Sequence, residues 1–254
     1  MRTLLSTRSL SVGHGTRSLI QDIDLELRAG ELVALIGING GGKSTLMNTL
    51  TGLHQAMSGE VLVEGIPLRT ISAAQRARRI ALVLTGRPQV GLLDVRTLVA
   101  LGRQPWTGHF GRLSNEDHRR IEEAMEATQV STFAERSLQH LSDGEAQRVM
   151  IARALAQDAP VIILDEPMAF LDLVHRVRLL RLLGGIARER DKAILLSTHD
   201  LQSALDLCDR VLLIHGSSLW SGTTQEARSS GVLEAVFAGE GLRFDAGSGS
   251  FRSV

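Results

Sequence analysis

Four short apolar runs stand out along the chain: "ELVALIG" (31–37), "RRIALVL" (78–84), "APVIILDEP" (159–167) and "KAILLSTHD" (192–200). Runs this short, rich in Val, Ile and Leu and ending abruptly in polar or glycine residues, read as strands buried on both faces. The last two have the form of parallel strands that deliver side chains to one edge of a sheet. Residues 1–36 behave differently: apolar and polar positions alternate, which predicts antiparallel strands joined by turns at Gly13, Gly15 and Gly30. "SGEVLVEGIPL" (58–68) predicts a further hairpin-like piece, and "DRVLLIHGSSLWSGT" (209–223) a closing hairpin. From about residue 86 the period lengthens to that of helices, with Ser114 and Asp117 spaced as a capping box before "NEDHRRIEEAMEA". "LRFDAGSGSFRSV" (242–254) places a Gly/Ser turn between two apolar pieces and is expected to form a hairpin. No internal repeat is apparent.

With 254 residues the chain suits one large domain, or one core with an inserted subdomain. Basic and acidic side chains balance at 28 each without long runs, so no electrostatic footprint for nucleic acid is present. "RARR" (76–79) is read as a solvated helix face. The single cysteine, Cys208, has no partner for an internal disulfide and lies in a segment patterned as a packed helix, so it is assigned to the core of a cytosolic chain. "MRTLLSTRSLSVGHG" lacks the apolar stretch of a signal peptide and no run approaches a membrane span, so any membrane role is expected through a partner.

"GINGGGKST" (37–45) changes the picture from fold to chemistry. Its glycines let backbone N–H groups converge on one centre, which suits a phosphate chain. Gly37, Gly42, Lys43 and Ser44 fit G-x-x-x-x-G-K-[ST], with Lys43 reaching the β- and γ-phosphates and the Ser44 hydroxyl available to Mg²⁺. A flexible turn with a stray lysine would lack the strand before and the helix after that this loop has. "VIILDEP" then ends an apolar strand in two acids. Asp165 is placed to orient Mg²⁺ and Glu166 to polarise the water that attacks the γ-phosphate. His199 ends the next strand, within reach of the γ-phosphate or the general base. "LSDGEAQRVMIARALA" (141–156) is a Ser-x-Gly turn opening a helix, a second phosphate-binding surface in a chain that already has one.

Together these elements resemble the ATP-binding subunits of ABC transporters. "GINGGGKST" matches Walker A, "VIILDE" Walker B, "LSDGE" the signature, "FLD" with Asp172 the D-loop, and His199 the switch histidine, in family order from about residue 3 to 225. The resemblance implies an α/β fold: a P-loop NTPase (RecA-like) core over 1–85 and 157–225, with an antiparallel β subdomain and an inserted helical subdomain over about 86–156. A tail follows at 226–254. It further implies a head-to-tail homodimer that sandwiches two ATP molecules. One copy contributes His14, Gly37, Asn39, Gly40, Gly41, Gly42, Lys43, Ser44 and Thr45, and the other Ser142, Gly144, Glu145 and Asp172. Catalysis is assigned to Glu166, His199 and Lys43, and Mg²⁺ to Ser44, Asp165 and Thr85.

"LVALGRQPWTGHFGRLSNED" (98–117) is similar to the insert of ATPases that serve iron-siderophore, haem and cobalamin importers. That similarity implies two transmembrane permease subunits, a periplasmic or lipoprotein substrate-binding protein acting through them, and a peripheral position on the cytoplasmic face of a bacterial inner membrane. Ferric siderophore and haem both fit as cargo, cobalamin less well. An exporter subunit, a soluble ATPase acting on ribosomes or DNA, and a catalytically silent ATP-binding regulator remain as rivals. The D-loop reads "MAFLD" in place of the common "TSALD", and three single positions also depart from the pattern. Thr85 occupies the place of the Q-loop glutamine, with Gln89 four residues away; His14 stands where an aromatic ring stacks on adenine; Asp143 replaces a signature glycine.

Overall fold

A computed structural model of the chain describes residues 1–86, 93–108, 110–237, 242–245 and 250–253. Its elements are β1 (Thr3–His14), β2 (Arg17–Ile23), β3 (Glu26–Arg28), β4 (Leu32–Ile36), α1 (Lys43–Leu50), β5 (Ser58–Val63), β6 (Ile66–Pro67), α2 (Ala73–Ala77) and β7 (Ile80–Val83). Next come α3 (Val95–Ala100), α4 (Asn115–Ala127), α5 (Asp143–Ala156), β8 (Val161–Leu164), α6 (Leu173–Glu189), β9 (Ala193–Ser197) and α7 (Leu201–Leu207). β10 (Arg210–His215), β11 (Ser218–Thr223), α8 (Thr224–Ser229), α9 (Val232–Phe237), β12 (Leu242–Asp245) and β13 (Ser250–Ser253) follow.

The apolar runs form one six-stranded sheet in the order β11-β10-β4-β9-β8-β7, with parallel pairing from β10 to β7. Successive side chains of a strand point to opposite faces, and this sheet is covered on both. Leu32, Ala34 and Ile36 of β4 enter one core with Ile162, Leu164, Ile194 and Leu196, beneath α3 to α7. Val33 and Leu35 enter a second core with Val161, Ile163 and Leu195, beneath α1 and an antiparallel sheet. That second sheet runs β2-β1-β5-β6, with β3 also on β1. β4 therefore leaves the antiparallel meander expected over residues 1–36 and becomes a central parallel strand.

Gly13 is not a turn residue. It lies inside β1 opposite Ser18, where an added Cβ would come within 2.1 Å of the Arg17 carbonyl oxygen. The reversal is at Gly15 and Thr16. The structure also carries the packed chain past residue 225: Ala227, Leu233 and Val236, on α8 and α9, belong to the main core. β12 pairs with β13 as an antiparallel hairpin.

The helical segment α3 to α5 is fastened to the sheet by polar contacts. The buried Arg103 donates from Nε to Asp117 Oδ1 at 2.7 Å and from Nη1 to the Ala156 carbonyl at 2.8 Å. Gly102 lies so near α5 that an added Cβ would sit 2.2 Å from the Arg153 carbonyl oxygen. Trp106 Nε1–H donates to the Gln157 carbonyl, and the Gln157 amide donates to the Ala77 and Ile80 carbonyls. The "RARR" stretch is not merely solvated. Arg78 donates to the Pro105 carbonyl at 2.9 Å and stacks over Trp106, while Arg79 faces Glu64 at 3.5 Å. Asp117 caps α4 with Ser114 as the spacing predicted. Cys208 is buried, and desolvation pushes its thiol up to about 12, so it stays protonated at neutral pH.

Candidate active site

The carboxyl ends of β4, β9, β8 and β7 lie side by side, and each delivers one part of the site. After β4 the chain turns through residues 37–42 into α1. Gly40 and Gly42 take φ of +76° and +99°, in the left-handed region that favours glycine, and a Cβ on Gly37 would press within 3.0 Å of Ile214. Helices α4, α5, α6, α7 and α8 each begin with a side-chain cap, whereas α1 begins at Gly42 with none. The N–H groups of its first turn have no acceptor within the helix, and its positive dipole end faces the cleft.

Lys43 folds back over this loop, donating from Nζ to the Gly37 carbonyl at 2.8 Å and the Ile38 carbonyl at 3.2 Å. Burial pushes its ammonium below the usual lysine range, and the Glu166 and Asp165 charges oppose that shift. The loop opens on a cleft of about 450 Å³ lined by His14, Arg17, Asn39, Lys43, Ser44 and Glu166 among others. His14 ends β1 at its rim, with Nε2 2.9 Å from Thr45 Oγ1 and its ring 4.9 Å from that of His54. His54 Nε2–H donates to the Gly13 carbonyl.

The two acids that follow β8 stand across from the loop. Ser197 Oγ–H donates to Asp165 Oδ1 at 2.7 Å and accepts from the Glu166 N–H at 2.8 Å. Asp165 Oδ2 lies 3.4 Å from Ser44 Oγ. Glu166 adopts φ of +44°, an uncommon conformation for a residue with a Cβ. His199 Nε2–H donates to Glu166 Oε1 at 2.5 Å, so the ring holds the acid from the far side. Thr85 Oγ1–H donates to the Asp165 carbonyl at 2.9 Å. That bond ties the end of β7 to the acids without placing Thr85 on the cleft lining; Gln89 lies outside the described residues.

Ser197 was missed by sequence reasoning. A hydroxyl on the last residue of an apolar strand carries no distinguishing spacing, and its importance arises only because β9 pairs with β8 in parallel register. Arg17 was missed likewise: it reaches the cleft because the β1–β2 turn folds over the loop.

The other group of predicted residues sits apart. Ser142 caps α5 in a box with Glu145, its backbone N–H and hydroxyl donating to Glu145 Oε2 at 2.8 and 2.9 Å. Those bonds hold the Glu145 carboxyl below its usual range. Asp172 caps α6, and the backbone N–H and ring of His175 lower its carboxyl too. Ser142, Gly144, Glu145 and Asp172 do not line the cleft below Lys43. The predicted residues thus fall into two separate groups, one lining the cleft and one at the starts of α5 and α6.

Among the described residues no cluster of three or more His, Cys, Asp or Glu is disposed to bind a metal. The Ser44 hydroxyl and the Asp165 carboxylate are hard oxygen donors beside a phosphate-binding loop, which fits Mg²⁺, an ion held by few protein ligands together with substrate phosphates and water.

Residues 20–169 match the family model described as ABC transporter. Over 234 residues the chain is 36 % identical to the iron(3+)-hydroxamate import ATP-binding protein of Bacillus subtilis, covering 92 % of this chain and 87 % of that one. It is 40 % identical to the hemin import ATP-binding protein of Streptomyces coelicolor, covering 92 % and 83 %. Among solved structures, an inward-facing ABC transporter assigned to the metal-chelate type superposes with a TM-score of 0.81 at 26 % identity, covering 93 % of this chain and 89 % of that one.

Proposed function

The chain belongs to the ABC transporter family, and from that premise we propose that it hydrolyses ATP to drive import of an iron chelate, ferric siderophore or haem, through a separate permease. The observation that carries the catalytic part is the uncapped start of α1 facing Glu166, an acid held by His199 and by Ser197. The N–H groups of the loop and Lys43 bind the phosphates, Lys43 exchanging its two carbonyl partners for phosphate oxygens. Ser44 and Asp165 would hold Mg²⁺, which would neutralise charge on the phosphates. Glu166 orients the attacking water and takes up its proton, and His199 fixes the direction of that carboxylate. Ser197 keeps Asp165 and Glu166 in a fixed mutual geometry. His14 and Arg17 receive the base and ribose end.

Closure of two copies brings Ser142, Gly144, Glu145 and Asp172 of one onto the nucleotide of the other, which accounts for their absence from the cleft of a single chain. No described helix is long and apolar enough to cross a membrane. A peripheral position on the cytoplasmic face, under two permease subunits fed by a substrate-binding protein, fits that surface. Leu101 is 45 % exposed and Phe110 90 % exposed in the segment expected to meet the permease. The iron-chelate assignment draws on the import activities named for the relatives and on the helical segment, where the Arg103–Asp117 ion pair joins the "ALGR" and "NED" elements.

Phosphate release from Mg-ATP by the purified chain, with Glu166→Gln as control, tests the catalytic reading. Turnover by the wild type and a fall of roughly 10²–10⁴-fold in the variant are expected, the range for loss of a general base. No turnover by the wild type, with or without its permease, would leave only a silent ATP-binding regulator. The cargo is tested by ATP-dependent uptake of ⁵⁵Fe-labelled hydroxamate siderophore and of haem in membranes carrying the full transporter; uptake of neither overturns the iron-chelate assignment.

A further inference from the structure

The reading above leaves His175 without a task, yet its ring bonds to Asp172 and lines one cleft together with Gly144 of the group at the starts of α5 and α6. The Nδ1–H donates to Asp172 Oδ1 and Oδ2, 2.9 Å to each, while the backbone N–H of the same residue donates to Oδ1 at 2.9 Å. On its other edge, His175 Cδ2 lies 3.6 Å from where a Cβ of Gly144 would stand. The imidazole therefore bonds the cap of α6 and faces the first turn of α5, the turn that Ser142 opens, with room for little more than a methyl group between them.

Stability does not explain this arrangement. The backbone N–H alone completes the cap, and an ion pair between side chains that are 53 % and 65 % exposed contributes little to folding. What the ring fixes is direction. With both oxygens shared by one N–H, the plane of the Asp172 carboxylate is set, and its outward lone pairs stay open to a second chain. A neutral ring protonated on Nδ1 suffices for this. Arg178 of α6 and Arg148 of α5 line the same cleft, of about 560 Å³.

We propose that His175 is a positioning residue, setting the Asp172 carboxylate and its spacing from the Ser142 turn so that both meet the nucleotide of a second copy together. The inference rests on the head-to-tail reading of the dimer. Its test is ATP-driven dimerisation of the Glu166→Gln chain, followed by sedimentation velocity in Mg-ATP, with binding of a fluorescent ATP analogue to the monomer measured alongside.

Adding His175→Leu is expected to raise the dimer dissociation constant about three- to tenfold, the effect of one lost hydrogen bond, and to leave analogue binding by the monomer unchanged. His175→Asn, which offers an N–H at similar reach, is expected to restore dimerisation. His175→Phe, which keeps the ring without its donor, is expected to fall with His175→Leu and guards against a packing defect specific to leucine. Equal dimerisation by the leucine variant and its parent overturns the proposal, as does an asparagine variant no better than leucine. A Glu166→Gln parent that stays monomeric overturns the head-to-tail reading itself, and the inference with it.

Discussion

The nucleotide cleft and the joint between the helical segment and the central sheet are both made of polar side chains, but they use them in opposite ways. At the joint, Arg103, Asp117, Trp106 and Gln157 bond to one another and to fixed carbonyls, and Arg103 and Asp117 are buried. In the cleft, Lys43 rests on carbonyls of its own loop, Ser44 and His199 are exposed, α1 has no cap, and Glu166 holds an unfavourable φ. The joint has its permanent partners already. The cleft holds provisional ones that a phosphate chain can replace at small cost, because the ammonium of Lys43 would exchange neutral carbonyl acceptors for charged phosphate oxygens. Stability and activity should therefore separate cleanly between the two regions.

The largest effect on stability is expected at the joint. Arg103→Leu leaves the Asp117 carboxylate and the Ala156 carbonyl buried without their donor, and breaking a buried pair from one side costs about 3–5 kcal/mol. Chemical denaturation should show that loss, while the fraction of chain that remains folded binds a fluorescent ATP analogue with unchanged affinity. An equal loss of affinity in folded material would mean that the joint also shapes the cleft.

Lys43→Met is the mirror experiment. Replacing a desolvated ammonium by an apolar chain of similar length removes two phosphate contacts, each a charge-assisted bond of about 1.5–3 kcal/mol, so ATP affinity should fall roughly a hundredfold or more. The burial that depresses the Lys43 ammonium makes its charge a burden on the empty fold. The melting temperature of Lys43→Met without nucleotide should accordingly equal or exceed that of the wild type. A marked drop would show that the bonds to Gly37 and Ile38 hold the loop together.

How much of each region could be read in advance follows from the same contrast. The cleft is written in short local spacings: Gly37 to Ser44 lie on one turn of chain, and Asp165 and Glu166 are adjacent, so their gathering around one cleft could be expected residue by residue. The joint is assembled from pieces far apart in sequence. Arg103 and Asp117 could be seen as recurring elements, but not as partners, because the intervening loop hides their approach. Arg78 looked like one of a solvated basic run, since nothing local announces that Pro105 and Trp106 will fold onto it. Gly13 looked like a turn because glycine serves both turns and close strand packing, and only the pairing of β1 with β2 decides between them. The extent of the core beyond residue 225 was hidden for a similar reason: α8 and α9 are each six residues long, too short for a clear helical period.

Ser197 tests the comparison inside the cleft, since it is the cleft residue that most resembles the joint. It is fully buried, and its hydroxyl serves Asp165 and the Glu166 N–H at once. Ser197→Ala unpairs both, a loss of about 1–3 kcal/mol by the usual penalty for an unsatisfied group. We expect the loss mainly as a roughly tenfold or greater fall in phosphate release, with ATP affinity nearly intact because Lys43 and the α1 N–H groups are untouched. A fall in affinity with turnover preserved would assign Ser197 to nucleotide binding.

The smallest effect is a pH dependence that belongs to the joint alone. Burial pushes the Asp117 carboxyl up, but the Ser114 hydroxyl and N–H and the Arg103 guanidinium outweigh it and hold the group below the usual aspartate range. A carboxyl depressed in the folded state stabilises the fold above its unfolded value, about 3.9, and that contribution is lost as the pH falls through the folded value. The stability gap between wild type and Asp117→Asn should therefore be constant from neutral pH to about 5 and narrow below about 4. Taking the difference between the two chains cancels the other depressed carboxyls, Glu116, Glu145, Asp172 and Glu226, which titrate alike in both. Because the Arg103–Asp117 pair is shielded from solvent, the gap at neutral pH should also be nearly the same in 0.1 M and 1 M salt. A gap that closes with salt would place the pair in contact with water and erase the distinction between a joint that is sealed and a cleft that is open.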